Sequence, residues 1–242
     1  KIRPKVIFNA SNLIRYIDLF KLGFLEEENL RILRKCLAEQ NHFISRESLV
    51  GWNPRSWRRN ADENLELFGA DATIIITVRK TESFLRSVYQ QTIHEGNVRH
   101  AENFFLNAKN YDAVKPFFSE YESSWFDVDS YDLRILEGIY RERFKKIIFV
   151  SLSDLKELSF LRDIFDLTPI EHAQLCRKLE FGKKMNRAYS QQAMNLTFLR
   201  SRLLRKLSLE IRGSDARVYE RALMLKKNHI VKPYKNLNVK EK

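Results

Sequence analysis

The stretch TIIITVRKTESFLRSVYQQ, residues 73–91, decides the reading of the fold. It opens with a run of β-branched side chains ending at Val78, the composition expected of a central strand covered on both faces in a parallel sheet. The pattern then changes at once. Arg79-Lys80-Thr81 breaks the apolar run, and Phe84, Leu85 and Val88 recur at helical spacing, which predicts a helix over 81–95. In open parallel sheets, ligands bind beyond the C-terminal strand ends, where the next helix presents its unpaired N–H groups. Arg79 stands at that end, and a guanidinium can grip a phosphate with two hydrogen bonds. Ser83 and Ser87 fall one turn apart on a different face of the helix, so their hydroxyls could join Arg79 around one anion. An arginine paired with a nearby carboxylate would produce the same sequence.

Outward from this stretch, strands and helices alternate. KVIFN (5–9) and HFIS (42–45) read as short strands, and KKIIFVSL (145–152) as a second buried one. EEENLRILRKCLAEQ (26–40) is an amphipathic helix with acids in its first turn and a stripe of Leu30, Leu33 and Leu37. PRSWRRNADENLELFG (54–69) is a helix with Pro54 near its start and Gly69 as its stop. Residues 131–144 are helical, and Ser153 is the expected N-cap of a helix over 153–167. Residues 97–128 carry no clear pattern. Past Pro169 the chain is helical and basic, and the leucines of FLRSRLLRKLSLEIR recur as on a docked amphipathic helix with a basic outer face. The expected fold class is α/β, a central parallel sheet flanked by helices with a helical C-terminal part.

Composition narrows the partners. A net charge of +12 with 44% hydrophobic residues describes a globular chain suited to anions such as a nucleotide, an anionic polysaccharide, nucleic acid or a membrane surface. No apolar run reaches the ~20 residues of a membrane span. Cys36 and Cys176 lie far apart in helical patterns and read as buried thiols of a reducing compartment, so the expectation is a cytoplasmic protein. His42, His100, His172 and His229 show no ligand spacing, and no metal is expected. The absence of a G-x-S-x-G elbow excludes serine-hydrolase chemistry, and neither a Walker A sequence nor a Rossmann G-x-G-x-x-G is visible.

The chain resembles sulfotransferases that use 3′-phosphoadenosine 5′-phosphosulfate (PAPS), in particular the bacterial carbohydrate sulfotransferases. In that family a buried strand ends in Arg and a Ser follows eight residues later on the next helix, the spacing of Arg79 and Ser87. FLRSVYQQ is similar to the family text there, and IHEGN places a Gly where relatives close the helix. The family's usual Asn-Pro or similar pair after the Arg is Lys80-Thr81 here. NHFISRESLVGW (41–52) resembles the strand that ends in Ser-x-Glu before Leu-x-Gly. YRERFKKIIFVSLSDLKELSFLRDIFDL (140–167) resembles the late strand and helix, with Ser153 in place of the commoner acid. KKMNRAYSQQAMNLTFLRSRLLRKL (183–207) resembles the segment that precedes the C-terminal helices. The likeness spans about 41–207.

The resemblance implies one sulfotransferase-like domain over 1–242, with the P-loop-type nucleotide fold in a core of about 41–167 and a helical extension over about 168–230. It implies PAPS as co-substrate and a carbohydrate hydroxyl as acceptor. Arg79 and Ser87 would bind the 3′-phosphate, and Lys184 and Arg187, beside Lys183, would reach the nucleotide from a closing segment. Glu47, at the end of strand 42–45 and beside the nucleotide strand, is the first candidate for the base, and His94 is the second. Trp52, Arg55, Arg58 and Arg59, with Trp57 interleaved, form a candidate acceptor surface, because aromatic rings stack on sugars and arginines bind acids. If the chain is a truncated eukaryotic domain, the compartment would be the Golgi lumen instead.

The family's Gly-rich 5′-phosphosulfate loop does not occur in the 242 residues. Either the natural chain begins upstream of Lys1, or a segment is missing within, or the chain is a degenerate relative unable to hold the sulfonate. The first two are the expectation. The alternative function is a non-catalytic nucleic-acid- or partner-binding protein on the same fold, with Arg200, Arg202, Arg205 and Lys206 along a phosphate backbone. A nucleic-acid binder has no need of the Arg79–Ser87 spacing, so that partner is not the expected one.

Overall fold

The structure, a computed structural model, describes residues 6–8, 11–39, 41–94, 98–114, 125–178 and 191–206. Among the described residues the fold is mixed α/β and mostly helical, with three small two-stranded sheets. The chain divides into two compact units, one of residues 1–76 with 132–148 and one of residues 77–131 with 149–242.

In the first unit, β1 (Val6–Phe8) pairs in parallel with β2 (Asn41–Phe43), with Ile7 opposite His42. Between them run α1 (Ser11–Lys21) and α2 (Glu27–Glu39). Leu30 and Leu33 of α2 are buried against Leu13, Ile17 and Leu67, and Leu37 lies at the edge of the same cluster. Each such fully buried aliphatic side chain contributes about 1.5–3 kcal/mol relative to exposure. The predicted helix over 54–69 begins as a 3₁₀ turn, Pro54–Ser56, with the Asn53 side chain accepting from Arg55 N–H at 3.1 Å. It continues as α3 (Trp57–Phe68) and stops at Gly69, whose N–H donates to Leu65 O at 2.9 Å. α3 packs on α7 (Leu133–Arg141), which buries Leu136, Ile139 and Tyr140.

The unit boundary falls within β3 (Thr73–Val78) and β6 (Lys146–Ser151), which pair with each other. Lys145 N–H donates to Ala70 O at one end and Leu152 N–H to Val78 O at the other, so the strands run in the same direction. Two expectations about these strands are corrected. Only Ile76 in β3 and Val150 in β6 are buried, because a two-stranded pair leaves its edges and much of its faces uncovered. β2 is bonded to β1 and β3 to β6, so among the described residues no ladder sets Glu47's strand beside β3.

The second unit is built on α4 (Thr81–His94). Leu85, Tyr89 and Ile93 are buried and Val88 nearly so, following the predicted helical period. The unpatterned region contains α5 (Ala101–Phe104), β4 (Phe105–Leu106), α6 (Ala108–Val114) and β5 (Phe126–Asp127), with β4 and β5 parallel. Their aromatic rings gather on α4: Phe84 stacks on Tyr131 at 4.9 Å, and Tyr89 lies 5.6 Å from Phe104. α8 (Ser159–Phe165), α9 (Pro169–Lys178) and α10 (Gln191–Lys206) complete the unit.

Three further expectations fail here. Ser153 is not an N-cap: its hydroxyl donates to Asp154 Oδ1 and meets Ser151 Oγ, while a 3₁₀ turn at Leu155–Glu157 precedes α8. Cys36 is exposed and Cys176 only half-buried, because the core face of α2 is taken by its leucines. On α10, among the described side chains, Met194 and Ser201 are buried and Phe198 stacks on His100 at 4.7 Å, whereas Leu196, Leu199 and Leu203 are exposed. The face that carries Leu199 and Leu203 is therefore not the docked one, and the side chain of Leu204 lies outside the described residues.

Candidate functional site

At the end of β3, Val78 O receives the last ladder bond, and Phe84 N–H donates to Lys80 O at 2.9 Å to begin α4. Arg79 and Lys80 are therefore the entire connection between strand and helix. Arg79 is exposed, and its Nη1 donates to Ser87 Oγ at 3.2 Å. Among the described residues it has no carboxylate partner. Glu82, the acid of the first helical turn, is instead paired with Arg86 at 2.6 Å. The guanidinium thus keeps most of its donors for an anion, on the side of α4 where the helix dipole is positive. Ser83 is exposed on the same helix.

Sequence reading missed a second pair of hydroxyls at this edge. Ser151 Oγ and Ser153 Oγ are 2.6 Å apart on either side of Leu152, whose N–H is bonded to the residue before Arg79. The signal was present as Ser-x-Ser ending a strand, but Ser153 read equally well as a cap.

His94 is the last residue of α4, and its side chain lies outside the described residues. So do Lys183, Lys184 and Arg187, the Gly96 helix stop, and Arg205 and Lys206 as side chains.

In the first unit, Glu47 opens a 3₁₀ turn, Glu47–Leu49. Its carbonyl accepts from Gly51 N–H at 3.0 Å and from Val50 N–H. Its carboxylate is exposed and, among the described residues, has no hydrogen-bond or ion-pair partner. The neighbouring Arg46 pairs with Asp18 at 2.5 Å rather than with Glu47. A solvated carboxylate can accept a proton or bind a cation, and among the described residues none is placed to neutralise it.

The acceptor surface is altered. Trp57 is 2% exposed and belongs to the core, so its ring is not available for stacking; its place on α3 is the inward face shared with Asn60, Ala61, Asn64 and Leu67. Trp52 is half-buried and Arg55 exposed. Arg58 Nη1 lies 3.7 Å from Glu142 Oε2, and Arg59 Nε lies 3.4 Å from Glu63 Oε1.

Beneath the Glu47 turn lies a buried polar network that the sequence did not disclose. Asn64 Nδ2 donates to Leu49 O at 2.7 Å and to Tyr140 Oη at 3.2 Å, and Tyr140 donates to the same carbonyl at 3.3 Å. Asn60 Nδ2 donates to Val50 O at 2.8 Å, while Lys21 Nζ donates to Asn60 Oδ1 at 3.1 Å and pairs with Glu63 at 2.5 Å. Burial lowers the Lys21 ammonium from the usual lysine range against the pull of Glu63, and burial raises the Tyr140 phenol well above the usual tyrosine range.

Comparison with known proteins yields no match among family models, curated proteins or solved structures. Among the described residues no group of His, Cys, Asp or Glu is placed to hold a metal ion, and no helix is long and apolar enough to cross a membrane.

Proposed function

We propose that the chain is a sulfotransferase-like protein that binds PAPS and transfers its sulfonate to a carbohydrate hydroxyl. The observation that carries this reading is Arg79: a strand-end guanidinium resting on the Ser87 hydroxyl, with no carboxylate to neutralise it among the described residues. An arginine with a structural partner would not leave a binding fork open at a helix N-terminus.

In the reaction, the acceptor oxygen forms a bond to sulfur as the bond from sulfur to the 5′-phosphate oxygen breaks. The acceptor proton passes to the Glu47 carboxylate, and 3′-phosphoadenosine 5′-phosphate leaves. Arg79 and Ser87 hold the 3′-phosphate, Lys184 and Arg187 offset charge on the nucleotide, and Trp52, Arg55, Arg58 and Arg59 receive the acceptor. His94 is the alternative base. The P-loop-type fold of sulfotransferases is part of the same proposal.

The test is calorimetric titration with 3′-phosphoadenosine 5′-phosphate, repeated on Arg79→Ala and with AMP. Micromolar binding that needs both the 3′-phosphate and Arg79 supports the reading. Equal binding of AMP, or binding unchanged in Arg79→Ala, removes it. A second reading, a non-catalytic partner-binding protein, draws on the exposed Leu196, Leu199 and Leu203 beside Arg202 on α10. It gains if no nucleotide binds.

A further inference from the structure

We infer that Asn60, Asn64 and Tyr140 are positioning residues that fix the backbone turn carrying Glu47. The catalytic meaning of this inference rests on the base role proposed for Glu47, but the mechanical part does not.

Three side chains with at most 4% exposure spend their donors on two consecutive carbonyls, Leu49 O and Val50 O. Asparagines are costly on a core face, and a helix that needed only packing would carry apolar residues there. The geometry leaves each group one arrangement. Lys21 Nζ can only donate, so it holds Asn60 Oδ1 and turns Nδ2 toward Val50 O. Tyr140 Oη accepts from Asn64 and so spends its own proton on Leu49 O.

Gly51 completes the lock. Its φ is +72, and a Cβ there would lie 2.7 Å from Asn60 Nδ2, so the chain passes as close to the network as its backbone permits. With both carbonyls held from below and Glu47 O bonded to Gly51 N–H, the Cα–Cβ direction of Glu47 is set by buried groups although its carboxylate is exposed. A base held this way meets an acceptor without first paying the ordering cost of a loop.

The experiment is hydrogen exchange resolved to the amides of Leu49, Val50 and Gly51, compared with amides of α2, on the full chain and on Asn64→Asp and Tyr140→Phe. Asn64→Asp keeps the volume but points an acceptor at Leu49 O, and Tyr140→Phe removes the phenol that donates to Leu49 O and accepts from Asn64 Nδ2. The expected result is exchange about ten-fold faster or more at the turn, the scale of one lost buried hydrogen bond, with α2 unchanged. Turn amides that do not accelerate, or that accelerate only together with α2, overturn the inference. Titration of the same proteins with 3′-phosphoadenosine 5′-phosphate separates the two claims: loss of binding in the parent chain removes the sulfotransferase reading and leaves the exchange result to decide the network.

Discussion

Replacing Gly51 with alanine puts a methyl group into the network under the Glu47 turn. Two costs arise. Holding an L-residue at φ +72 costs about 1–2 kcal/mol. The new Cβ would sit 2.7 Å from Asn60 Nδ2 and 3.1 Å from Ser56 Oγ, so the amide must withdraw and leave Val50 O without its donor. Leaving this part-buried carbonyl unsatisfied costs up to about 1–3 kcal/mol more. Gly23 supplies the control, since its φ is +73 and a Cβ there meets nothing within 4 Å. Gly23→Ala should therefore show the backbone cost alone.

In equilibrium urea unfolding, Gly51→Ala should lose about 2–5 kcal/mol and Gly23→Ala about 1–2, with similar m-values. Asn60→Ala should remove the clash, so the double variant Gly51→Ala/Asn60→Ala should be more stable than the sum of the singles by about 1 kcal/mol or more. A Gly51→Ala loss no larger than that of Gly23→Ala, or strict additivity in the cycle, would refute the close contact between Gly51 and the Asn60 amide.

Glu47→Gln should leave binding of 3′-phosphoadenosine 5′-phosphate intact while sulfonate transfer from labelled PAPS falls by about 10²-fold or more; undiminished turnover would pass the base role to His94 or another group. Tyr140 keeps its proton in the folded state to a higher pH than in the unfolded chain, so its contribution is complete below pH 10.0 and is lost as pH rises through the raised folded value. Between pH 10.0 and that raised value the stability advantage of the parent over Tyr140→Phe should shrink by about 1.4 kcal/mol per pH unit in urea titrations, and a constant difference would show that the phenol is not held protonated by burial. On α10, Met194→Ala should cost about 2–5 kcal/mol in thermal unfolding, whereas Leu199→Glu should stay within about 0.5; the reverse order would put the leucines back on the docked face.

Local order was largely written in the sequence. The β-branched run 73–78, the breaker at Arg79-Lys80 and the periodic 81–94 fix a strand, its end and a helix, because each depends on neighbours a few residues apart. The α2 stripe and the Gly69 stop are legible for the same reason. β4 and β5, two residues each, are too short for any period and exist only because they pair with each other. Which face of a helix is buried was not legible where two faces compete. On α10 Leu199 and Leu203 marked the wrong one, and on α3 Trp57 looked like part of a basic surface because Asn60 and Asn64 interrupt the apolar face that it begins.

The sequence by itself therefore determined where Arg79 and Ser87 fall, one at a strand end and the other two turns into the following helix. It also placed Glu47 just past a short strand. Tertiary structure decided that Arg79 rests on Ser87 without a carboxylate partner among the described residues, and that Glu47 rides on a turn gripped from below. The physical reason is that the groups doing the gripping are side chains far along the chain, and the groups gripped are main-chain carbonyls. Every residue carries such a carbonyl, so no sequence pattern marks the two that Asn60, Asn64 and Tyr140 select.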